Sequence, residues 1–241
     1  MKLAGLIAGS MLLAGQVIWA ADTNSWDNTI AAGLNITSGN SDTMQANGSF
    51  KSEKIGDVHE VRLGIDINYG ENDVEGDSEK STDNSKAIAI YKYKMGGPYL
   101  YTDNSIFHDS MANIDYRLII GAGGGFHLID NDSILLGIEA GLAYVYEKME
   151  DISGDGNASA RLAARHDQKL SDSSKLWLSA EYIPSFEDSG IYLMNAEAGI
   201  EAAINTSLSL RFVVQDRYDS QVPADRKEND LAVISSLVYK L

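Results

Sequence analysis

The chain has 241 residues, with 22 glycines, 3 prolines and no cysteine, and its formal net charge is −16. Without cysteine it can form neither a disulfide nor a thiolate metal site. The acidic balance disfavours nucleic acid as a partner, because phosphate binding needs a basic surface.

Residues 1–20 have the pattern of a secretory signal peptide. Lys2 is a short basic start, and an uncharged apolar run follows from Leu3 to Gly15. This run is shorter than the ~20 residues that a membrane-spanning helix needs. We expect cleavage after Ala20 or Ala21, which would leave residues 21–241 as an exported domain.

After Trp26 the dominant pattern is alternation. From Ile134 to Tyr146 every even position is apolar or aromatic, whereas the odd positions include Glu139 and glycines. A period of two places successive side chains on opposite faces of a strand. In chain order the pattern predicts strands over residues 26–38, 42–53, 58–71, 84–94, 98–109, 114–129, 133–148, 157–169, 174–185, 190–204, 206–218 and 229–241.

The connections between these strands indicate a membrane barrel. Most of the strands are long enough for a tilted transmembrane strand, which needs about 9–11 residues. If the chain starts in the periplasm, the inward connections are short (54–57, 95–98, 130–133, 171–174, 205–206), and most outward ones are longer and acidic, such as 72–83, 150–156 and 219–228. Bacterial barrels have this asymmetry, whereas a soluble β-sandwich, the alternative, does not require it. The sequence therefore predicts an all-β fold, a transmembrane antiparallel up-and-down β-barrel of about 12 strands in the outer membrane.

Aromatic residues near the predicted strand ends suit the boundary between lipid and water. They are Trp26, Tyr69, Tyr91, Tyr93, Tyr99, Tyr101, Tyr116, Tyr144, Tyr146 and Tyr239. The segment 231–241 has apolar residues on one face and finishes on Leu241. It resembles the signal that the barrel assembly machinery reads, and it would also serve simply as the strand that closes the barrel.

Two segments resemble the family of YdiY-like, salt-induced outer-membrane proteins. One is the opening strand and turn, with Gly33, Gly39 and Asn40, and the other is the last loop and strand from Pro223 to Leu241. The resemblance implies an outer-membrane barrel, implies no established biochemical activity, and suggests a connection with salt stress.

Charged residues within the predicted strands are expected to point into the lumen, because a basic residue facing lipid at mid-membrane costs about 2–4 kcal/mol. Two interpretations stay open. These side chains line a narrow path for small polar solutes or ions, which the length and mixed sign of the set slightly favour, or they pair across the lumen and plug a structural or surface-interaction barrel. The residues are Arg62, Asp66, Arg117, Glu139, Arg161, Arg165, Asp167, Glu181, Glu197, Glu201, Arg211 and Arg217.

A lipid hydrolase is a third and less favoured interpretation. Alternation places His108 and Ser110 on one face, as a base and a nucleophile would require, and Asp109 on the other. The sequence places no further acid beside them. We therefore expect no enzymatic activity and predict no catalytic residue.

No cofactor is predicted, and a metal site is only weakly indicated. Acids at alternate positions, Asp73, Glu75, Asp77 and Glu79, offer oxygen ligands for Ca²⁺ or Mg²⁺, but a solvated loop is favoured. The expected partners are outer-membrane lipid, lipopolysaccharide and the assembly machinery, and a monomer is favoured over an oligomer.

Overall fold

The structure, a computed structural model, describes residues 25–37, 42–74, 77–150, 153–222 and 227–241. The predicted signal peptide with its cleavage site, the turn at Gly39 and Asn40, and Glu75 lie outside these residues. Within them, no helix is long and apolar enough to cross a membrane.

In the part of the chain that the structure describes, twelve strands follow one another, as predicted. They are β1 (Asp27–Thr37), β2 (Asp42–Ile55), β3 (His59–Val74), β4 (Asp77–Lys94), β5 (Pro98–Asp109), β6 (Ile114–Asp130), β7 (Ile134–Met149), β8 (Asp155–Ser171), β9 (Ser174–Pro184), β10 (Tyr192–Ala203), β11 (Leu208–Asp219) and β12 (Asn229–Lys240).

Each strand pairs antiparallel with its neighbours in sequence, and β1 pairs with β12, so the sheet is a closed barrel. This confirms the predicted all-β, up-and-down architecture. The register between β1 and β12 runs only from Thr29 opposite Lys240 to Ala32 opposite Leu237, so this closing seam is the shortest ladder. Closure matters because it gives every one of these strands a hydrogen-bonded neighbour on both sides.

The two ends of the barrel differ. At one end, which we call the turn end, the strands are joined by residues 56–58, 95–97, 131–133, 172–173 and 204–207. The opposite end, which we call the loop end, carries connections that include residues 185–191 and 220–228. β1 starts and β12 finishes at the turn end, where the amide of Leu241 donates to the carbonyl of Asn28 at 2.9 Å.

One predicted loop is wrong. Residues 72–83, expected to be an outer loop, mostly continue β3 and β4 as a hairpin, with a register shift between Gly70 and Glu71. The polar residues of this segment show no apolar alternation because, at the loop end, neither face needs to meet hydrocarbon. The apolar alternation that identifies a membrane strand therefore ends before the hydrogen-bonded strand ends.

Side chains are distributed inside out relative to a soluble protein. Leu34 and Ile36 on β1, Ile67 on β3 and Leu142 on β7 point outward and are between 58 and 65% exposed. Charged residues such as Arg161 and Glu197 are 4% exposed on the enclosed face. An apolar belt of this extent fits contact with lipid better than contact with water.

Tyr99 and Tyr101 do not lie where the sequence predicted. Instead of meeting a lipid–water boundary, they are on the inner face of β5 and only 3% exposed. Their register partners on β6 are Gly125 and Gly123. A Cβ added at Gly125 would lie 2.3 Å from the Cζ of Tyr99, so the missing side chain is what admits the ring.

Candidate functional site: the charged lumen

The inner face carries all of the charged residues that the sequence predicted for it. Arg62, Asp66, Arg161, Asp167, Glu197, Glu201 and Arg211 are buried, and Arg117, Glu139, Arg165, Glu181 and Arg217 are partly buried. They do not form one cluster. Instead, the strand register distributes them among several groups between the two ends of the barrel.

Arg161 on β8 is the centre of the largest group, and its side chain is only 5% exposed. Its Nε donates to Oε1 of Glu181 at 2.6 Å, its Nη1 to Oε2 of Glu139 at 2.9 Å and its Nη2 to Oδ2 of Asp103 at 2.8 Å. The guanidinium also lies over the ring of Tyr101, 5.0 Å from its centroid. One cation thus connects β5, β7, β8 and β9, using the planar fork that arginine offers to carboxylates.

Polar side chains from further strands extend this group. The Nζ of Lys92 and the hydroxyl of Tyr99 both donate to Oε1 of Glu139, at 2.8 and 3.0 Å. On the other side, Nδ2 of Asn195 donates to Oε2 of Glu181 at 3.0 Å. The network therefore reaches from β4 round to β10.

A second group lies near the turn end. Arg62 Nη2 is 2.7 Å from Oε1 of Glu60, and Lys51 Nζ is 3.2 Å from Oε2 of Glu53. Across the lumen, Lys51 interacts electrostatically with Lys175 and Arg211 as well as with Arg62. Each of these cations also has a carboxylate beside it, from Glu53, Glu60 or Glu201.

Glu201 pairs with the cations on the β9–β11 side of the barrel. Arg211 Nε donates to its Oε2 at 2.8 Å, and Lys175 Nζ is 3.6 Å from its Oε1. Glu197, four residues away on β10, instead accepts from Trp177 Nε1 at 2.5 Å and from Gln215 Nε2 at 2.8 Å. Trp177 and Gln215 are each 1% exposed, so this side of the lumen is filled.

The remaining predicted residues take separate places. Arg165 and Asp167 pair along β8 at 2.7 Å, and Asp66 lies opposite Lys86 in the β3–β4 register. At the loop end Arg117 contacts Glu147 and Asp219, and Arg217 lies over the ring of Phe107 and 3.6 Å from Oδ2 of Asp109.

Several residues of these groups were missed by the sequence analysis, among them Lys51, Glu53, Glu60, Lys92, Asp103 and Lys175. Asp103 was missed because β5 alternates weakly: its inner face mixes Tyr99, Tyr101 and Phe107 with acids. Asp103 and Asp109 are both at odd-numbered positions of β5, and this shared parity could have indicated that Asp103 faces the lumen. The contact between Asp103 and Arg161 depends on how separate strands align, and the sequence of one strand does not predict that alignment.

A cavity of about 450 Å³ opens inside the barrel between the turn end and Arg161. Asn131 and Asp132 of the turn between β6 and β7 lie at one side of it. Its walls carry both signs of charge, with Glu60, Arg62, Lys92, Arg165, Asp167 and Glu181 among the lining residues.

Of the acids considered as metal ligands, Asp73 faces Ser78 across the β3–β4 register, and Asp77 and Glu79 are exposed. Among the described residues, no group of three or more histidine or acidic side chains has the arrangement of a metal site. His108 and Ser110 are at the loop end, at the junction of β5 and the turn at 110–113.

Comparison with known proteins places the chain in a family. The family described as "Protein of unknown function, DUF481" matches residues 30–241. The chain belongs to the DUF481 family. No curated protein matches this member of the family.

Several solved structures are similar to this barrel at low sequence identity. The translocator domain of the autotransporter NalP from Neisseria meningitidis is 14% identical, with a TM-score of 0.51 over 90% of this chain and 87% of that chain. The NanC porin is 7% identical, with a TM-score of 0.49 over 89% and 96%. The transport unit of the autotransporter AIDA-I from Escherichia coli is 14% identical, with a TM-score of 0.43 over 95% and 93%. The NalP domain shows the fold that this DUF481 protein shares, that of outer-membrane β-barrels.

Proposed function

We propose that this DUF481 protein is an outer-membrane barrel with a narrow, normally closed path for small polar solutes or ions. The observation that carries the proposal is the cavity of about 450 Å³, lined in part by acidic and basic side chains, between the turn end and the carboxylate cluster of Arg161. A volume of this size is in the range of small-molecule sites, about 300–1,000 Å³.

The cavity suits a small polar solute because its charged walls can exchange partners. Lys92 and Arg165 are 15 and 20% exposed at their side chains, and each already pairs with a carboxylate. A solute that carries donors and acceptors can replace part of these contacts without leaving a buried charge unpaired, which would be costly.

Arg161 closes the path in this proposal. Its guanidinium spans from Asp103 on β5 to Glu181 on β9 and lies at the inner end of the cavity. Passage towards the loop end requires these ion pairs to separate or move together. The barrel is therefore expected to conduct rarely, in contrast to an open general pore.

Neutralising Arg161 tests this closure. Arg161→Gln leaves Asp103, Glu139 and Glu181 without their shared cation, and their mutual repulsion widens the constriction and makes it acidic. In planar bilayers we expect the wild-type protein to show rare conductance steps, and Arg161→Gln to open more often and to prefer cations.

Arg211→Gln is the matched control, because Arg211 pairs with Glu201 on the filled β9–β11 side of the lumen and is not among the residues that line the cavity. Its steps should remain close to those of the wild type. If bilayers stay silent with wild type and both variants, although the proteins are folded, the path does not exist.

A plugged, structural barrel is the second candidate. It is favoured by the packing on the β9–β12 side, where Trp177, Val213 and Ala232 form a small apolar core with exposures of 1% or less. Silent bilayers would support this function in place of the path.

The setting of the barrel is also part of the proposal. The turn end would face the periplasm and the loop end the outside, with lipid and lipopolysaccharide around a monomer. Segment 231–241 would be read by the assembly machinery, and a role in envelope homeostasis under salt stress would follow the family resemblance. Fractionation of cells grown with and without added salt tests location and induction together; absence from the outer membrane in both would contradict this setting.

A further inference from the structure

His108 and Ser110 form a hydrogen-bonded pair at the loop end. The distance between His108 Nε2 and Ser110 Oγ is 3.1 Å. His108 is an even-numbered residue of β5, and Ile106, on the same face, is 48% exposed on the outer surface. Both members of the pair are partly accessible, and neither points into the lumen.

The contact of the other ring nitrogen shows which nitrogen of His108 carries a proton. Its Nδ1 is 2.8 Å from the carbonyl oxygen of Asp115 on β6. A carbonyl oxygen can only accept, so Nδ1 carries a proton, and in the neutral ring Nε2 has a lone pair facing Ser110 Oγ. The hydroxyl proton of Ser110 is donated to Asp83 in the structure, and rotation about the Cβ–Oγ bond would bring it to Nε2. This is the orientation that a general base needs, at a distance within the usual reach for proton abstraction.

Asp83 and Lys80 complete the surroundings of Ser110. The hydroxyl of Ser110 donates to Oδ2 of Asp83 at 3.2 Å, and this carboxylate oxygen also lies 2.6 Å from Nζ of Lys80. The backbone amide of Ser110 donates to the carbonyl of Asp83 at 3.0 Å, which anchors the serine to β4. Lys80 neutralises the charge of the Asp83 carboxylate that contacts the serine.

We propose that Ser110 is a nucleophile and His108 its base, in an acyl-transfer site that acts on the carboxylic ester of an amphiphile at the membrane surface. The outward position selects the substrate class. Ile106 and the neighbouring apolar belt offer a surface to an acyl chain, while the polar loop end meets the head group. The site is separate from the lumen, so it stands independently of the proposed path.

The reaction balances without a cofactor. Ser110 Oγ attacks the ester carbonyl carbon as its proton passes to His108 Nε2, and the carbon–oxygen bond to the alcohol breaks as that proton is returned to the leaving oxygen. Water, deprotonated by His108, then attacks the acyl-serine, which releases the carboxylic acid and restores the serine hydroxyl. No electron is exchanged with an outside donor.

Labelling with an alkyl fluorophosphonate tests the nucleophile in folded, detergent-solubilised protein. We expect mass spectrometry to find the label on Ser110 in the wild type and no label in Ser110→Ala. His108→Gln should label at least about 100-fold more slowly, the usual minimum contribution of a general base. Ser133→Ala, at an exposed turn at the other end, is the control and should label as the wild type does.

The substrate is tested by fatty-acid release from vesicles of phosphatidylethanolamine and, separately, from lipopolysaccharide. Release from either one, lost in Ser110→Ala, supports the proposal and identifies the source of the ester. Equal labelling of wild type and Ser110→Ala, no labelling of the wild type, or release from neither substrate would overturn it.

Discussion

Inner-face glycines determine where the large aromatic side chains of the lumen can lie. Trp177 on β9 is directly opposite Gly199 on β10, just as Tyr99 is opposite Gly125. A Cβ added at Gly199 would be 2.0 Å from Cζ2 of the indole, so the ring occupies the space of the missing side chain. The same ring donates to Glu197 and thereby positions a buried carboxylate.

Gly199→Ala is therefore expected to displace Trp177 and to break its hydrogen bond to Glu197. Overpacking of this kind costs about 1–3 kcal/mol of the free energy of unfolding. The effect would be measured by heating samples before electrophoresis. The band of the folded barrel should disappear at a lower temperature for the variant than for the wild type. Gly48→Ala is the control, since nothing lies within 4 Å of an added Cβ there; equal shifts for both variants would contradict the explanation.

At this scale the sequence revealed which residues face inward but not which ones meet. Alternation along β8 sufficed to assign Arg161 and Arg165 to the same face. It could not show that Arg161 meets carboxylates on three other strands, or that Arg165 pairs with Asp167 two residues further along β8. These pairings arise from strand register and from the lengths of the opposing side chains.

Among the strands, β1 and β12 have the special task of closing the sheet. Their ladder is short, and Ala31 and Val238, which face each other in it, are 4 and 3% exposed on the inner side. Facing residues of an antiparallel pair bring their Cβ atoms to about 4.5–5.5 Å. A disulfide needs a Cβ–Cβ distance of about 3.5–4.5 Å, so a small backbone shift would suffice to form one here.

The double variant Ala31→Cys with Val238→Cys should form a disulfide on mild oxidation, in a chain that has no other cysteine. Non-reducing electrophoresis after denaturation would show the faster migration of the resulting loop. Ala31→Cys with Ala143→Cys, which joins β1 to β7, should stay reduced because these strands are not neighbours. Cross-linking of both pairs to the same extent, or of neither, would contradict a seam at β1 and β12.

Strand positions were largely predictable because hydrocarbon imposes an unmistakable period of two on the strands that meet it. The β3–β4 hairpin was not, since its polar residues continue the ladder beyond that environment. The inward orientation of Tyr99 and Tyr101 was missed because an amphipathic ring suits both a lipid–water boundary and a polar lumen. The glycines opposite these rings on β6 leave the space that lets them point inward.

For the whole molecule, membership of the DUF481 family and the barrel fold agree with the inside-out distribution of side chains. The pattern of one strand was enough to predict that distribution. Whether ion pairs close the lumen depends on how the strands are arranged around it. The sequence of a single segment does not predict that arrangement. The family's description supplies no activity either, so function rests on the geometry of the lumen and of the loop end.

Neighbouring positions on β8 test the central claim most directly, because Leu162 points outward and is 51% exposed while Ala163 lines the internal cavity. A fluorophore would be attached to Leu162→Cys or to Ala163→Cys in protein reconstituted into vesicles whose lipids carry a nitroxide quencher. We predict strong quenching at position 162 and little at position 163. Equal quenching at the two positions, or stronger quenching at 163, would contradict a barrel with an apolar outside and a polar interior.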